Sequence, residues 1–186
     1  MSPFLFLVKF IGTKNLLNIK FSQRIIAALD AIRQTIGAYS DGALITRGNN
    51  TKFIRTVYRS PQVSQNSLED IHRFYPLLHA IMDLPFPTIA PVTEHTFCGG
   101  CSLALAHDYR TKNAERGFIS RPLLDLEMHS SGIGVLPKRK LSPQATRKML
   151  LEGDKFTRKE ALEDRVVDFT ASPEQLLDAA VELANK

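Results

Sequence analysis

Apolar residues open the chain as a short run, Phe4 to Val8, interrupted by Lys9, and residues 4–11 predict a buried strand. Phe21, Ile25, Leu29, Ile32 and Ile36 then recur at helical spacing, which marks one face of an amphipathic helix. Ser22 is its expected N-cap and Gly37 its expected stop. Ala43 to Thr46 reads as a second buried strand, closed by Gly48-Asn49-Asn50. Residues 47–67 are polar and aperiodic, so a long loop is expected there, poorly packed over 49–66. Helical spacing returns at Leu68, Ile71, Phe74, Leu77, Leu78 and Ile81, and Pro85 and Pro87 end it. Thr88 to Val92 predicts a strand, although Pro91 is awkward for a central one. A short apolar helix follows, from Ser102 or as early as Gly100 to about His107, with further helices near 143–152, 157–164 and 173–184. Strand and helix in alternation indicate an α/β layer with parallel connections.

Composition narrows this only a little. The chain has 186 residues, 44% of them hydrophobic and 23% charged, values that exclude collagen-like and charge-rich disordered classes. That length suits one domain with a core of its own, over residues 1–186, with the core at about 4–170 and a last helix at about 173–184. Two cysteines make no disulfide framework and suit a reducing, intracellular compartment. The longest early apolar run is far short of the roughly 20 residues a membrane span needs, and nothing around it reads as a signal peptide. Ala184-Asn185-Lys186 is not the Ser-Lys-Leu peroxisomal address. The net charge of +5 is scattered, densest at Lys138-Arg139-Lys140 with Arg147-Lys148 nearby. It reads as a solvated face or as attraction for a small anion such as a nucleotide phosphate. No aromatic stacking pattern or basic motif accompanies it, so nucleic acid is not implied.

The chemistry concentrates around Gly99-Gly100, between a strand and a helix. Glycines there allow close backbone approach to a ligand, and the unpaired amides and dipole of the helix start favour an oxyanion. The same turn reads as Cys98-Gly99-Gly100-Cys101, a thiol pair or half a zinc site, but no second cysteine pair exists to complete the metal set. Cys98 at a helix start is expected to have a more reactive thiolate than usual. His95 and His107 flank the turn and read as packing residues.

Pro87-Thr88-Ile89-Ala90-Pro91-Val92 and Gly99-Gly100, running on into Leu103-Ala104, Asp108-Tyr109-Arg110 and Gly117-Phe118, resemble the crotonase (enoyl-CoA hydratase/isomerase) family. Lys140 to Pro143, Phe156-Thr157 and Glu160 to Asp168 extend the resemblance, which spans about 4–182 and is greatest to fungal members of the isomerase branch. It implies a spiral of β-β-α units with a truncated C-terminal helical region, coenzyme A thioester substrates without a separate cofactor, and homotrimers or assembly with related chains. It implies an oxyanion hole from the amides of Gly100 and Tyr58, with Val57 and Arg59 where the family has glycine and aspartate. Lys52, Phe53, Arg55 and Gly99 fall against the coenzyme A thioester. The acid/base positions match Ser102, Leu123 and Ser131, none of them acidic, which leaves Asp125, Glu127 and His129 as replacement bases. The resemblance also places the chain in the cytoplasm or peroxisome. Three readings follow: an enoyl-CoA isomerase or hydratase of fatty-acid metabolism with weakened activity, a non-catalytic thioester-binding relative, or a thiol or metal protein built on the C-x-x-C turn.

Overall fold

Strand β1 (Phe4–Phe10) leads to α1 (Ile19–Ile36), β2 (Gly42–Gly48), α2 (Asn66–Met82) and β3 (Thr88–Val92). The central stretch is β4 (Thr96–Phe97), α3 (Gly99–Ala106), β5 (Tyr109–Asn113) and β6 (Ile119–Ser120). Helices α4 (Val135–Lys140), α5 (Pro143–Arg147) and α6 (Arg158–Glu163) precede β7 (Phe169–Ala171) and α7 (Leu176–Ala184). The computed structural model describes residues 4–10, 19–36, 42–48, 66–122, 132 and 134–185, with residues 66–73 described by backbone alone. The expectation of a loosely packed loop over 49–66 therefore falls almost wholly outside the described residues.

The main sheet has the order β1-β2-β3-β5-β7, and β4 and β6 form a second, two-stranded sheet. All of these pairings are parallel. Parallel strands need crossovers, and the helices between them bury both faces. One face carries Leu44, Ala90 and Val92 into the larger core, where Leu29, Leu77, Ile81 and Leu103 meet them. The other carries Ala43, Ile45 and Ile89 against Ala180 of α7. Leu5 and Leu7, in register with Ala43 and Ile45, extend that second face along the edge strand and stay about half exposed.

The helical spacings are borne out in α1, where Ile25, Leu29 and Ile36 are buried, and in α2, where Leu77, Leu78 and Ile81 are. Ser22 is not a cap. The helix opens at Ile19, and Ser22 lies inside it, buried on the same face as Ile25 and Leu29. Pro91 does sit in a central strand. Pairing of β2 with β3 is confined to Thr88 and Ile89, so Pro91 needs no amide on that side. The stretch expected near 143–152 is α5 running into one wide π-type turn at Lys148–Glu152, closed by Gly153 at φ 69°. Among the described residues no helix is long and apolar enough to cross a membrane.

Candidate functional site

Helix α3 starts at Gly99 with Gly100 second, one residue before the start expected at Gly100 and three before Ser102, and it ends at Ala106. From Gly100 to Ala106 every residue is buried, as an eight-residue helix apolar on all sides must be. The residue before it, Cys98, has φ 49° and ψ −113°, a conformation L-residues avoid. Such strain persists only where surrounding contacts over-determine it. Here the Cys98 amide donates to the Ser120 carbonyl at 3.1 Å, and the Thr96 amide donates to the Phe118 carbonyl at 2.8 Å. The Ser102 amide closes the turn on the Cys98 carbonyl at 3.1 Å.

The loop after β5 braces this turn from behind. Asn113 Nδ2 donates to the Thr93 carbonyl at 2.8 Å, while its Oδ1 accepts from the Glu115 amide at 2.8 Å. Gly117 has φ 86°, and a Cβ there would lie 2.5 Å from the Glu94 carbonyl carbon. Only glycine lets the two loops touch at that point. Arg116 and Glu94 form an ion pair at 3.6 Å, and the His95 ring packs on Phe118 with centroids 4.4 Å apart. Lys112 is fully buried beneath the loop, its ammonium donating to the Asn113 carbonyl at 3.2 Å and the Arg116 carbonyl at 2.9 Å. Burial pushes its pKa down to about 8.

The far end of α3 is polar but closed. His107 Nδ1 bonds the Leu103 carbonyl at 2.8 Å, which makes Nδ1 the protonated nitrogen and leaves buried Nε2 without a partner among the described residues. Burial pushes this imidazole down to about 4. Arg110 donates from Nε to the Val166 carbonyl at 2.8 Å, from Nη1 to the His107 carbonyl at 2.9 Å and from Nη2 to Asp168 at 3.3 Å.

Of the site residues expected from sequence, the structure brings Gly99 and Gly100 to the start of α3, with Gly100 buried. Tyr58, Lys52, Phe53, Arg55, Asp125, Glu127 and His129 lie outside the described residues, as do Leu123 and Ser131. Cys98 is not the reactive thiolate expected. It is buried, and loss of solvation pushes its thiol up to about 12, with Cys101 at about 11. Both cysteines are free. Sequence reasoning missed Arg121, which is 5% exposed beside these thiols. Its flanks, Ile119 before and Pro122-Leu123-Leu124 after, are the signal that could have found it.

The family model for enoyl-CoA hydratase/isomerase matches residues 12–186. Enoyl-CoA delta isomerase 1, peroxisomal, of Arabidopsis thaliana is 31% identical over 170 residues, covering 85% of this chain and 70% of that protein. A carnitinyl-CoA dehydratase of Salmonella arizonae is 37% identical over 110 residues, covering 59% of this chain and 42% of the dehydratase. The solved enoyl-CoA hydratase EchA3 of Mycobacterium ulcerans shares the fold at a TM-score of 0.85 and 20% identity, covering 100% of this chain and 81% of that one. With the parallel sheet and the strained double-glycine turn in place, the match over residues 12–186 establishes that the chain belongs to the enoyl-CoA hydratase/isomerase (crotonase) family.

Proposed function

We propose that this chain binds an acyl-coenzyme A thioester at the start of α3, its thioester oxygen toward the amides of Gly100 and Tyr58. Lys52, Phe53, Arg55 and Gly99 lie against the same ligand, and coenzyme A enters as part of the substrate with no further cofactor. The observation that carries this reading is the Cys98–Gly100 turn, where backbone strain is held in place at the start of a buried helix. Preorganised amides at such a point stabilise an oxygen that gains negative charge.

Isomerisation of a 3-enoyl to a trans-2-enoyl thioester fits these residues better than hydration. Hydration needs a base for water and an acid for carbon, whereas isomerisation needs one group to carry a proton. At the first of the family's carboxylate positions stands Ser102, buried, its hydroxyl donating to the Cys98 carbonyl at 3.4 Å. Leucine stands at the second, Leu123. Asp125, Glu127 and His129 are the proposed replacement bases. The same two substitutions favour a second reading, a non-catalytic relative that binds acyl-coenzyme A and assembles as a homotrimer or with active relatives. Either form works in a reducing compartment, cytoplasmic or peroxisomal, in fatty-acid breakdown.

Assay of the purified protein on 3-enoyl-CoA and trans-2-enoyl-CoA, with thioester binding measured alongside, tests this. Binding with slow isomerisation and no hydration is expected, and one of Asp125→Asn, Glu127→Gln or His129→Gln lowers the isomerase rate by about 10²–10⁴-fold. Hydration at ordinary enzyme rates of about 1–10³ s⁻¹ contradicts the preference for isomerisation. Absence of thioester binding contradicts the whole reading.

A further inference from the structure

Arg121 follows β6 directly, and the Cys98–Ser120 backbone bond fixes its backbone beside the start of α3. Its side chain turns inward and is 95% removed from solvent, at 5% exposure. There its charge acts on Cys98, Cys101 and Tyr75, the first two of which bracket Gly99-Gly100. Nε and Nη1 are both buried without a hydrogen-bond partner among the described residues. Among the described residues, no carboxylate is among the groups its charge acts on. The two thiols within reach of its charge are pushed away from ionisation, to about 12 and about 11, so they supply no counter-charge near neutral pH.

Burying a guanidinium without an anion costs free energy, and arginines that serve packing alone are normally satisfied. Arg110, eleven residues earlier in sequence and equally buried, meets that standard with two carbonyls and a carboxylate. The fork of Arg121 instead keeps two donors for a ligand, in a geometry suited to paired oxygen lone pairs. It does so at a helix start that already favours negative charge.

We propose that Arg121 is the receptor for an anionic oxygen on the acyl part of the thioester, beside the Gly99-Gly100 turn. Two sources supply that chemistry: the 3-oxo oxygen of a β-ketoacyl group, which shares the enolate charge when the α-proton between the two carbonyls is lost, or a carboxylate carried on the acyl group. The proposal rests on the thioester reading of the site.

Calorimetric titration of the whole chain with butyryl-CoA, acetoacetyl-CoA and malonyl-CoA tests it, with the ultraviolet absorbance of the bound acetoacetyl enolate as a second readout. Arg121→Met should weaken acetoacetyl-CoA, malonyl-CoA or both by about 10- to 100-fold, the worth of a charged hydrogen bond, and leave butyryl-CoA within about twofold. Loss confined to acetoacetyl-CoA, with loss of its enolate band, identifies the enolate as the source. Loss confined to malonyl-CoA identifies the carboxylate. Arg121→Lys keeps the charge without the fork and should give a smaller loss in the same selective pattern, so it decides the question where the methionine variant does not fold. Equal weakening of all three thioesters, or no change in any, overturns the proposal while leaving thioester binding intact. A wild-type protein that binds none of the three overturns the thioester reading and this proposal with it.

Discussion

A buried arginine lies near each end of α3, Arg110 from β5 and Arg121 from just after β6, and the two are treated in opposite ways. At the C-terminal end Arg110 is locked by the Val166 and His107 carbonyls and by Asp168. That arrangement ties α3 to the segment before β7, and its worth is structural. At the N-terminal end Arg121 has two buried donors without partners among the described residues. The backbone there is held instead by Cys98–Ser120, Thr96–Phe118 and the loop contact at Gly117. One helix end is thus stabilised through its guanidinium, while the other is stabilised around it. The difference separates a residue kept for folding from one kept for binding.

Removing Arg110 should have the largest effect. Arg110→Met removes the donors to the buried Val166 and His107 carbonyls and the ion pair to Asp168, which keeps only the residue-110 amide, and should cost about 3 kcal/mol by urea denaturation. A loss below about 1 kcal/mol would mean that this end is not held as described.

His107 sits at the same end and makes it sensitive to acid. Its folded pKa, about 4, lies below the ordinary 6.5, so the unfolded chain takes up the proton first as pH falls. Stability from this group is therefore complete above about 6.5, falls between about 6.5 and 4, and levels off below. The span is worth roughly 3 kcal/mol. Denaturation from pH 7 to 4 should show the slope, and His107→Gln should flatten it. An unchanged slope in the variant would assign the acid sensitivity elsewhere.

At the N-terminal end the backbone brace should matter more than the charge. Gly117→Ala puts a Cβ against the Glu94 backbone at a positive φ, and about 2 kcal/mol of destabilisation is expected. A neutral result would mean that the loops separate easily. Arg121→Met should show the smallest effect on folding, within about 1 kcal/mol of wild type or more stable, because it removes a buried charge whose Nε and Nη1 have no partner among the described residues. A loss near that of Arg110→Met would make the two ends alike.

Much of the scaffold was legible because its apolar residues keep a period. The buried faces of α1 and α2 and the strands β2 and β3 follow spacing and composition closely. β5 did not, because Tyr109-Arg110-Thr111-Lys112-Asn113 reads as a surface segment, yet four of its five residues are buried by a central place in the sheet. The two-residue strands β4 and β6 are too short to leave any pattern. In the site, the Gly99-Gly100 turn was visible as a motif, since backbone chemistry demands those residues. Lys112, Arg110 and Arg121 were not, because a basic residue carries no local sign of burial. Cys98 was misread for a related reason: a helix start lowers a thiol's pKa, but here desolvation outweighs it.

In the proposed site the start of α3 receives a thioester oxygen and Arg121 faces the acyl group beside it. A crystal structure with acetoacetyl-CoA tests this most directly. The thioester oxygen is expected about 2.7–3.1 Å from the Gly100 amide, with the Arg121 guanidinium in hydrogen-bond contact with the second acyl oxygen. A thioester lodged away from Gly100 would overturn the proposed oxyanion site, and one seated there with Arg121 turned from it would overturn the role of Arg121.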